Sequence, residues 1–323
     1  MVKATPTVSI ITPTYNRLHT LPRLWASLTT QTFKDFEWLV IDDGSSDGTR
    51  DWVKGLGDGR IFYRQQSNQG ANAARNHGMK YMRGRYVIFF DSDDAFYRPT
   101  SLAVMVREIE AAPKEIGLAI FPAVDAYGVR RFDTLTQKRA VADYAAMACE
   151  QIAVGEFLAI HRREVAAIAP FPRLRGVENV RHLVLARHTK TLHVNKAVRV
   201  YYDYKDKATK QGTKQATGQA DNNTALAGFL AGLEAMAEGT RNILTQHKAV
   251  MLAHCPPRYS RYCSSLALYY LLDGKTGDAI SPLIDAIRYG NIKLKLKALV
   301  FFGFVPLPYG LRRMVFKFAW RFR

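Results

Sequence analysis

Three carboxylates in four residues, Asp91-Ser92-Asp93-Asp94, close the apolar run Tyr86 to Phe90. They repel one another and cannot all be buried without partners. At the end of a core strand they suit a cation. A hard divalent ion, Mg2+ or Mn2+, takes oxygen ligands and usually binds the phosphates of a substrate too. The same four residues could also form a polar turn whose Asp side chains cap the next helix. Three other segments carry polar groups of similar promise. They are Thr12-Pro13-Thr14-Tyr15-Asn16-Arg17, then Asp42-Asp43-Gly44-Ser45-Ser46-Asp47-Gly48-Thr49, then Asn68-Gln69-Gly70 with Ala74-Arg75-Asn76. Each alone reads equally as a turn, an Asx-turn feeding a helix, or an ordinary ion pair.

The elements around them give a common setting. Short apolar runs predict strands at Val8–Thr12, Phe36–Ile41, Ile61–Arg64, Tyr86–Phe90 and Gly117–Val124. Helical spacing predicts helices at Leu18–Gln31, Thr49–Val53, Ala71–Met82 and Leu102–Ala111 between them. This alternation implies an α/β domain with a mostly parallel sheet. Ligands of such sheets sit at the carboxyl ends of the strands, where the acidic clusters fall. Beyond Arg130 the alternation fades, with a strand expected at Gly155–His161, a helix at Val177–Arg187 and strand character in Thr191–Tyr202. Asp203 to Thr224 is rich in Lys, Thr, Gln and Gly and reads as a linker. Helices are expected at 225–237, 241–253, 259–272, 277–288, 292–302 and 311–321. The expected organisation is an α/β domain over 1–204, a polar linker over 205–224 and a helical region over 225–323.

The four polar segments together resemble the inverting family 2 glycosyltransferases. The matching stretches are VSIITPTYNR, WLVIDDGSSDGT, NQGANAARNHG and GRYVIFFDSDD. The resemblance runs from Thr7 to Ala95 and fades toward Tyr204. It implies the GT-A fold, Rossmann-like with flanking helices, here followed by a smaller all-helical region. It also implies a nucleotide-diphosphate sugar as donor, and it assigns roles. Asp43 would accept from the ring N–H of a base, with Thr12, Pro13, Tyr15, Asp42 and Arg75 around the nucleotide. Asp91 would lie near the ribose, beside Ser92. Asp93, with Asp94 as a close rival, would ligate Mg2+ or Mn2+.

An inverting transfer needs a base for the acceptor hydroxyl. The family takes it from an acidic pair at a helix start. The matching stretch is Arg175-Gly176-Val177-Glu178-Asn179, so Glu178 is the candidate, with Glu156 second. Asn179 stands where the family often has Asp. A helix N-terminal acid that only suits the dipole would look the same. The family's later His is also missing: Tyr202-Asp203-Tyr204-Lys205 stands there, and Lys205 could meet a phosphate or simply be solvated.

With 323 residues, 48% of them hydrophobic, the chain can build a proper core. Cys149, Cys255 and Cys263 form no CxxC pair, and neither HExxH nor zinc-type spacing occurs. The net charge of +18 suggests an anionic partner. No acidic residue follows Asp285, and Lys293, Lys295, Lys297, Arg312, Arg313, Lys317, Arg321 and Arg323 interleave with Leu, Phe and Trp. That pattern fits helices lying on an anionic membrane surface. Nucleic acid is not expected, since no binding motif accompanies the charge. The expected enzyme is a hexosyl- or N-acetylhexosaminyltransferase, most simply using a UDP-sugar. It would work in the cytoplasm, peripheral on the inner face of the plasma membrane. It would extend a glycan or lipid-linked glycan for O-antigen, capsule or exopolysaccharide. The rival reading is a non-catalytic nucleotide-sugar-fold protein that docks through its basic tail.

Overall fold

β1 (Val8–Thr14) and β2 (Phe36–Asp42) are buried at every position. Parallel strands with both faces covered have that pattern. In the computed structural model, the described residues are 5–130, 137–149, 156–172, 178–202 and 232–320, without the side chains of 178, 179, 235 and 317–320. The chain divides into two compact units, Met1–Lys207 and Ala208–Arg323.

In the first unit, α1 (Leu21–Thr29), α2 (Thr49–Gly55) and α3 (Ala71–Met79) alternate with β1, β2, β3 (Ile61–Gln65) and β4 (Tyr86–Phe89). These four strands are parallel and lie in the order β3-β2-β1-β4. There follow β5 (Ala95–Phe96), α4 (Ser101–Glu110), β6 (Ile116–Val124), β7 (Arg139–Ala142), α5 (Tyr144–Ala148), β8 (Phe157–Arg162), α6 (Arg163–Ala166), α7 (Glu178–Ala186), β9 (Lys190–Val194) and β10 (Arg199–Val200). β8 is antiparallel to both β4 and β6 and joins the parallel half to the rest. β9 and β10 run parallel to β6, and β5 pairs antiparallel with β10.

The core explains the helix positions. α1 buries Leu21, Leu24 and Leu28 at helical spacing, with a proline in its first turn. Each such Leu contributes about 1.5–3 kcal/mol, so Leu24→Ala would cost about 2–5 kcal/mol. Trp25 stacks on buried Trp38, with ring centroids 5.1 Å apart and planes 12° apart. A second lock fixes the start of β4. A Cβ on Gly84 would meet the Ser9 backbone nitrogen at 2.5 Å, so only glycine allows this approach to β1. Ser9 Oγ accepts from Gly84 N at 2.8 Å and donates to Glu37 Oε1 at 2.6 Å. Arg83 closes the knot with two bonds to Glu37 Oε2, at 2.8 and 2.5 Å. The acidic residues after β4 therefore start from an anchored strand.

The second unit contains α8 (Leu233–His254), α9 (Pro256–Asp273), α10 (Thr276–Tyr289), α11 (Ile292–Phe304) and α12 (Tyr309–Trp320). α9 packs against α8 and α10. Tyr259 donates to Asp285 Oδ2 and Ser260 to the Ala286 carbonyl, both at 2.7 Å. Gly274, at φ 85, ends α9 in the left-handed conformation. α8 corrects one expectation: it runs unbroken through Glu238-Gly239-Thr240, where two helices were expected. Gly239 and Thr240 are buried there, so packing outweighs their poor helix propensity, about 1 kcal/mol for Gly. Among the described residues, no helix is long and apolar enough to cross a membrane. The expected linker 205–224 and the first part of the helix expected at 225–237 lie outside the described residues.

Candidate active site

The parallel register brings three strand ends to one edge of the sheet. Thr14 of β1 faces Asp42 of β2, and Ile11 of β1 faces Phe89 of β4. Residues 15–17, 43–49 and 90–94 therefore leave the sheet side by side. Residues 66–70 join them, because Gln66 N donates to the Asp42 carbonyl at 2.8 Å.

The loops after β1 and β2 are tied together. Asn16 takes a left-handed φ of 50, which Asn tolerates better than most residues. Its N–H donates to Ser45 Oγ and its Oδ1 accepts from Ser46 N, both at 2.9 Å. Asp47 Oδ2 accepts from Leu18 N at 2.9 Å. Thr12 is buried, with its Oγ1 accepting from the Trp38 indole at 2.9 Å, and Pro13 is buried beside it. Tyr15, by contrast, is 47% exposed.

Asp42 and Asp43 are both buried and hold backbone. Asp42 Oδ1 accepts from Ser45 N at 2.8 Å and its Oδ2 from the Tyr63 hydroxyl at 2.5 Å. Burial, then that bond, pushes the Tyr63 phenol upward. Asp43 Oδ1 accepts from Gln66 Nε2 and Gln69 N, both at 2.8 Å, and Oδ2 from Gly70 N at 2.7 Å. Its carboxylate thus sits at the N-terminal end of α3, where negative charge is favoured. Four lone-pair sites leave Asp43 with acceptor capacity beyond these three bonds.

The acids after β4 meet cations instead. Arg75 donates to Asp91 Oδ1 at 2.5 Å and to Asn72 Oδ1 at 2.6 Å. Arg17 lies 3.8 Å from Asp93 Oδ2, and Arg23 donates to the Asp93 carbonyl. The Arg23 guanidinium lies over the Tyr202 ring, 3.6 Å from its centroid. Asp94 pairs with Arg199 Nε at 3.1 Å. Burial pushes Asp94 up to about 8, against the pull of Arg199 and with the help of Asp91 and Asp93. Arg199 also donates to Glu156 Oε2 at 2.8 Å and to the Phe157 carbonyl at 2.9 Å. Side-chain exposure separates the three acids: 43% for Asp91, 26% for Asp93 and 4% for Asp94. Ser92 is buried between them.

Residues 9–152 match the family model described as glycosyl transferase family 2. Over that stretch, a little under half of the chain, the sequence is that of a family 2 glycosyltransferase domain. It is 46% identical over 88 residues to the UDP-Glc:alpha-D-GlcNAc-diphosphoundecaprenol beta-1,3-glucosyltransferase WfgD of Escherichia coli, covering 27% of this chain and 35% of that one. It is 42% identical over 93 residues to the GalNAc(5)-diNAcBac-PP-undecaprenol beta-1,3-glucosyltransferase of Campylobacter jejuni, covering 28% and 30%. These matches take in well under half the length of the curated relatives, 15% for an uncharacterized glycosyltransferase of Rickettsia felis. In fold, S. aureus TarS 1-349 in complex with UDP superposes with a TM-score of 0.57 at 18% identity, over 90% of this chain and 83% of that one. The mannosyltransferase PcManGT from Pyrobaculum calidifontis, in complex with GDP-Man and Mn2+, gives 0.50 at 17% identity, over 98% and 85%. At such identities the likeness is one of fold: the domain is GT-A.

The family 2 domain brings together the Thr12–Tyr15, Asp42–Asp43, Arg75 and Asp91–Asp94 residues singled out in the sequence. Glu178 opens α7, and its side chain lies outside the described residues, as does Lys205. Sequence reasoning missed Arg17, Arg23 and Arg199 as partners of the acidic cluster. Arg17 stood within a quoted motif, so its place was available. Arg199 follows no local pattern, and only the β5–β10 pairing brings it to Asp94.

Proposed function

We propose that this protein is a metal-dependent inverting glycosyltransferase. It moves a sugar from a nucleotide-diphosphate donor, a UDP-sugar first, to a hydroxyl of a glycan or lipid-linked glycan in cell-surface polysaccharide synthesis. One observation carries the reading. On the edge where the loops after β1, β2 and β4 meet, Asp91 and Asp93 keep exposed carboxylate while Asp42, Asp43 and Asp94 are buried. The relatives named for undecaprenol-linked acceptors support the acceptor class. The fold neighbours solved with UDP, UDP-GlcNAc or GDP-Man support the donor class.

The donor set fits a hard cation. Asp91 and Asp93 offer carboxylate oxygens, the ligand type that Mg2+ and Mn2+ prefer. Among the described residues no three His, Cys, Asp or Glu side chains form a metal group by themselves. Asp93 is the residue that would hold the ion, with Asp91 near the ribose and Asp94 buried behind them against Arg199. When bound, the ion supplies Lewis-acid stabilisation to the charge that grows on the leaving diphosphate.

The chain's own residues do the rest. Asp43 holds residues 66–70 in shape and accepts from the base. Arg75 orients Asp91. Tyr15 stands exposed at the end of β1, where a planar base can lie against it. Glu178, in the first turn of α7, takes the proton from the acceptor hydroxyl as that oxygen attacks the anomeric carbon and the C–O bond to the diphosphate breaks. The enzyme would work at the inner face of the plasma membrane, against an anionic surface.

A donor panel tests this. UDP-, GDP- and dTDP-sugars are incubated with and without Mn2+, and nucleoside diphosphate release is read. Release from one donor, dependent on metal and lost in Asp93→Ala, is expected. No release from any donor, with Asp93→Ala indistinguishable from wild type, would sink the enzyme reading. Glu178→Gln should keep donor binding and lose transfer; unchanged turnover points to another base, with Glu156 next.

A further inference from the structure

α11 is apolar on two sides, and only one of them is packed. Ala298 is fully buried and Leu294, Phe301 and Phe302 are half-buried, so this side faces the other helices of its unit. The opposite side is exposed yet apolar: Ile292 is 70% exposed, Leu296 56%, Leu299 53% and Val300 60%. At about 100° per residue these four fall within an arc of about 100°. Gly303 falls within the same arc, and nothing stands within 4 Å of the place where a Cβ would be. On the same wheel Lys295 borders one side of the arc, and Lys293 and Lys297 border the other. α12 repeats the theme with Met314 at 60% exposure. Large aliphatic side chains in a row on the surface of a folded unit mark a contact site.

The sequence alone suggested a diffuse mixture of basic and aromatic residues. The fold sorts it. Phe301 and Phe302 turn away from solvent, and the outward stripe is purely aliphatic with lysines along both borders. Lysine stems can lie along an apolar surface while their ammonium groups reach out to charge. We propose that this stripe of α11 seats in the headgroup–acyl boundary of an anionic bilayer. Ile292, Leu296, Leu299 and Val300 enter the acyl layer, and Lys293, Lys295 and Lys297 pair with headgroup phosphates. Charge complementarity selects this occupant. After Asp285 the chain has no acidic side chain, so a second copy meeting this face would bring lysine against lysine. The inference deepens the proposed work on a lipid-linked acceptor, but it needs neither donor nor acceptor to be tested.

The test is flotation of the full-length protein with vesicles of phosphatidylcholine alone and of phosphatidylcholine with phosphatidylglycerol, at low and high salt. Wild type should bind the phosphatidylglycerol vesicles and release partly in high salt. Changing Lys293, Lys295 and Lys297 together to Gln should weaken binding roughly a hundredfold, since each basic residue near such a surface counts for about a factor of five. Changing Leu296, Leu299 and Val300 together to Gln should weaken it roughly tenfold or more at every salt concentration. All the changed positions are exposed except Lys295, which is half-buried, so circular dichroism and melting should match wild type. Equal flotation of wild type and either variant overturns the proposal. So does a wild-type dimer, seen by light scattering, that the Leu296/Leu299/Val300 variant loses, since that assigns the stripe to a second copy.

Discussion

The acids after β2 and the acids after β4 stand on one edge of the sheet and are spent differently. Asp42 and Asp43 receive five hydrogen bonds between them, from Ser45, Tyr63, Gln66, Gln69 and Gly70. They hold loops. Asp91, Asp93 and Asp94 meet Arg75, Arg17 and Arg199, and the first two keep carboxylate open to solvent. The difference teaches that acidic residues at strand ends are not one class. A carboxylate that holds backbone donors shapes its loop first and keeps only its remaining lone pairs for a ligand. A carboxylate held by a cation, with surface to spare, retains capacity for a ligand.

The comparison is sharpest for Asp93. Asp93→Ala should lower turnover about a thousandfold, the scale for losing a preorganised electrostatic group, while thermal unfolding stays within a degree or two. Arg199→Met should do the reverse. It takes a buried donor from Asp94 and from the Phe157 carbonyl and should cost about 3 kcal/mol in denaturant unfolding, with Asp94→Asn restoring part of it. No loss in Arg199→Met would mean that Asp94 does not depend on its cation. Asp43→Asn comes next. It sets an amide donor against N–H groups and should cost about 2 kcal/mol, together with weaker donor binding. If Asp43→Asn unfolds no more easily than Asp91→Asn, the two regions are not distinct in the way described.

The smallest effect comes from pH and separates both regions from a third site. His161, on β8, is 2% exposed, with Nδ1 3.4 Å from the Val87 carbonyl. Burial first, then the Arg181 charge, holds its pKa well below 6.5. The unfolded chain therefore binds the proton first as pH falls. The stability tied to a neutral His161 is complete above about pH 6.5 and is lost below it, by at most about 1.4 kcal/mol per pH unit. Unfolding midpoints in urea from pH 7.5 to 5 should decline, and His161→Phe should flatten that decline. A decline that begins only below pH 4 would trace acid sensitivity to the carboxylates instead.

The parallel half of the sheet was legible because each strand is a short apolar run ending in turn chemistry. β1, β2, β3 and β4 start within a residue of expectation. β5 and β7 were not legible. Ala95–Phe96 is a two-residue strand made by its partner β10, and Arg139–Ala142 is an exposed edge strand with no apolar run. The site was legible as far as its acids go, because Asp after a strand is a local signal. Of its cations Arg75 was named and Arg17 stood in a quoted motif, but Arg23 and Arg199 were not legible, since they gain their roles only through packing. α8 was misread as two helices because Gly239 and Thr240 look like a break until tertiary burial is known.

The Trp25–Trp38 stack has an optical consequence. Two parallel indoles at 5.1 Å couple their transitions, and the Trp38 N–H ends on Thr12 Oγ1. The end of β1 is thus wired to a chromophore pair within the first unit. Near-ultraviolet circular dichroism can follow the packing of that strand end without a label, and Trp25→Phe supplies the matching blank.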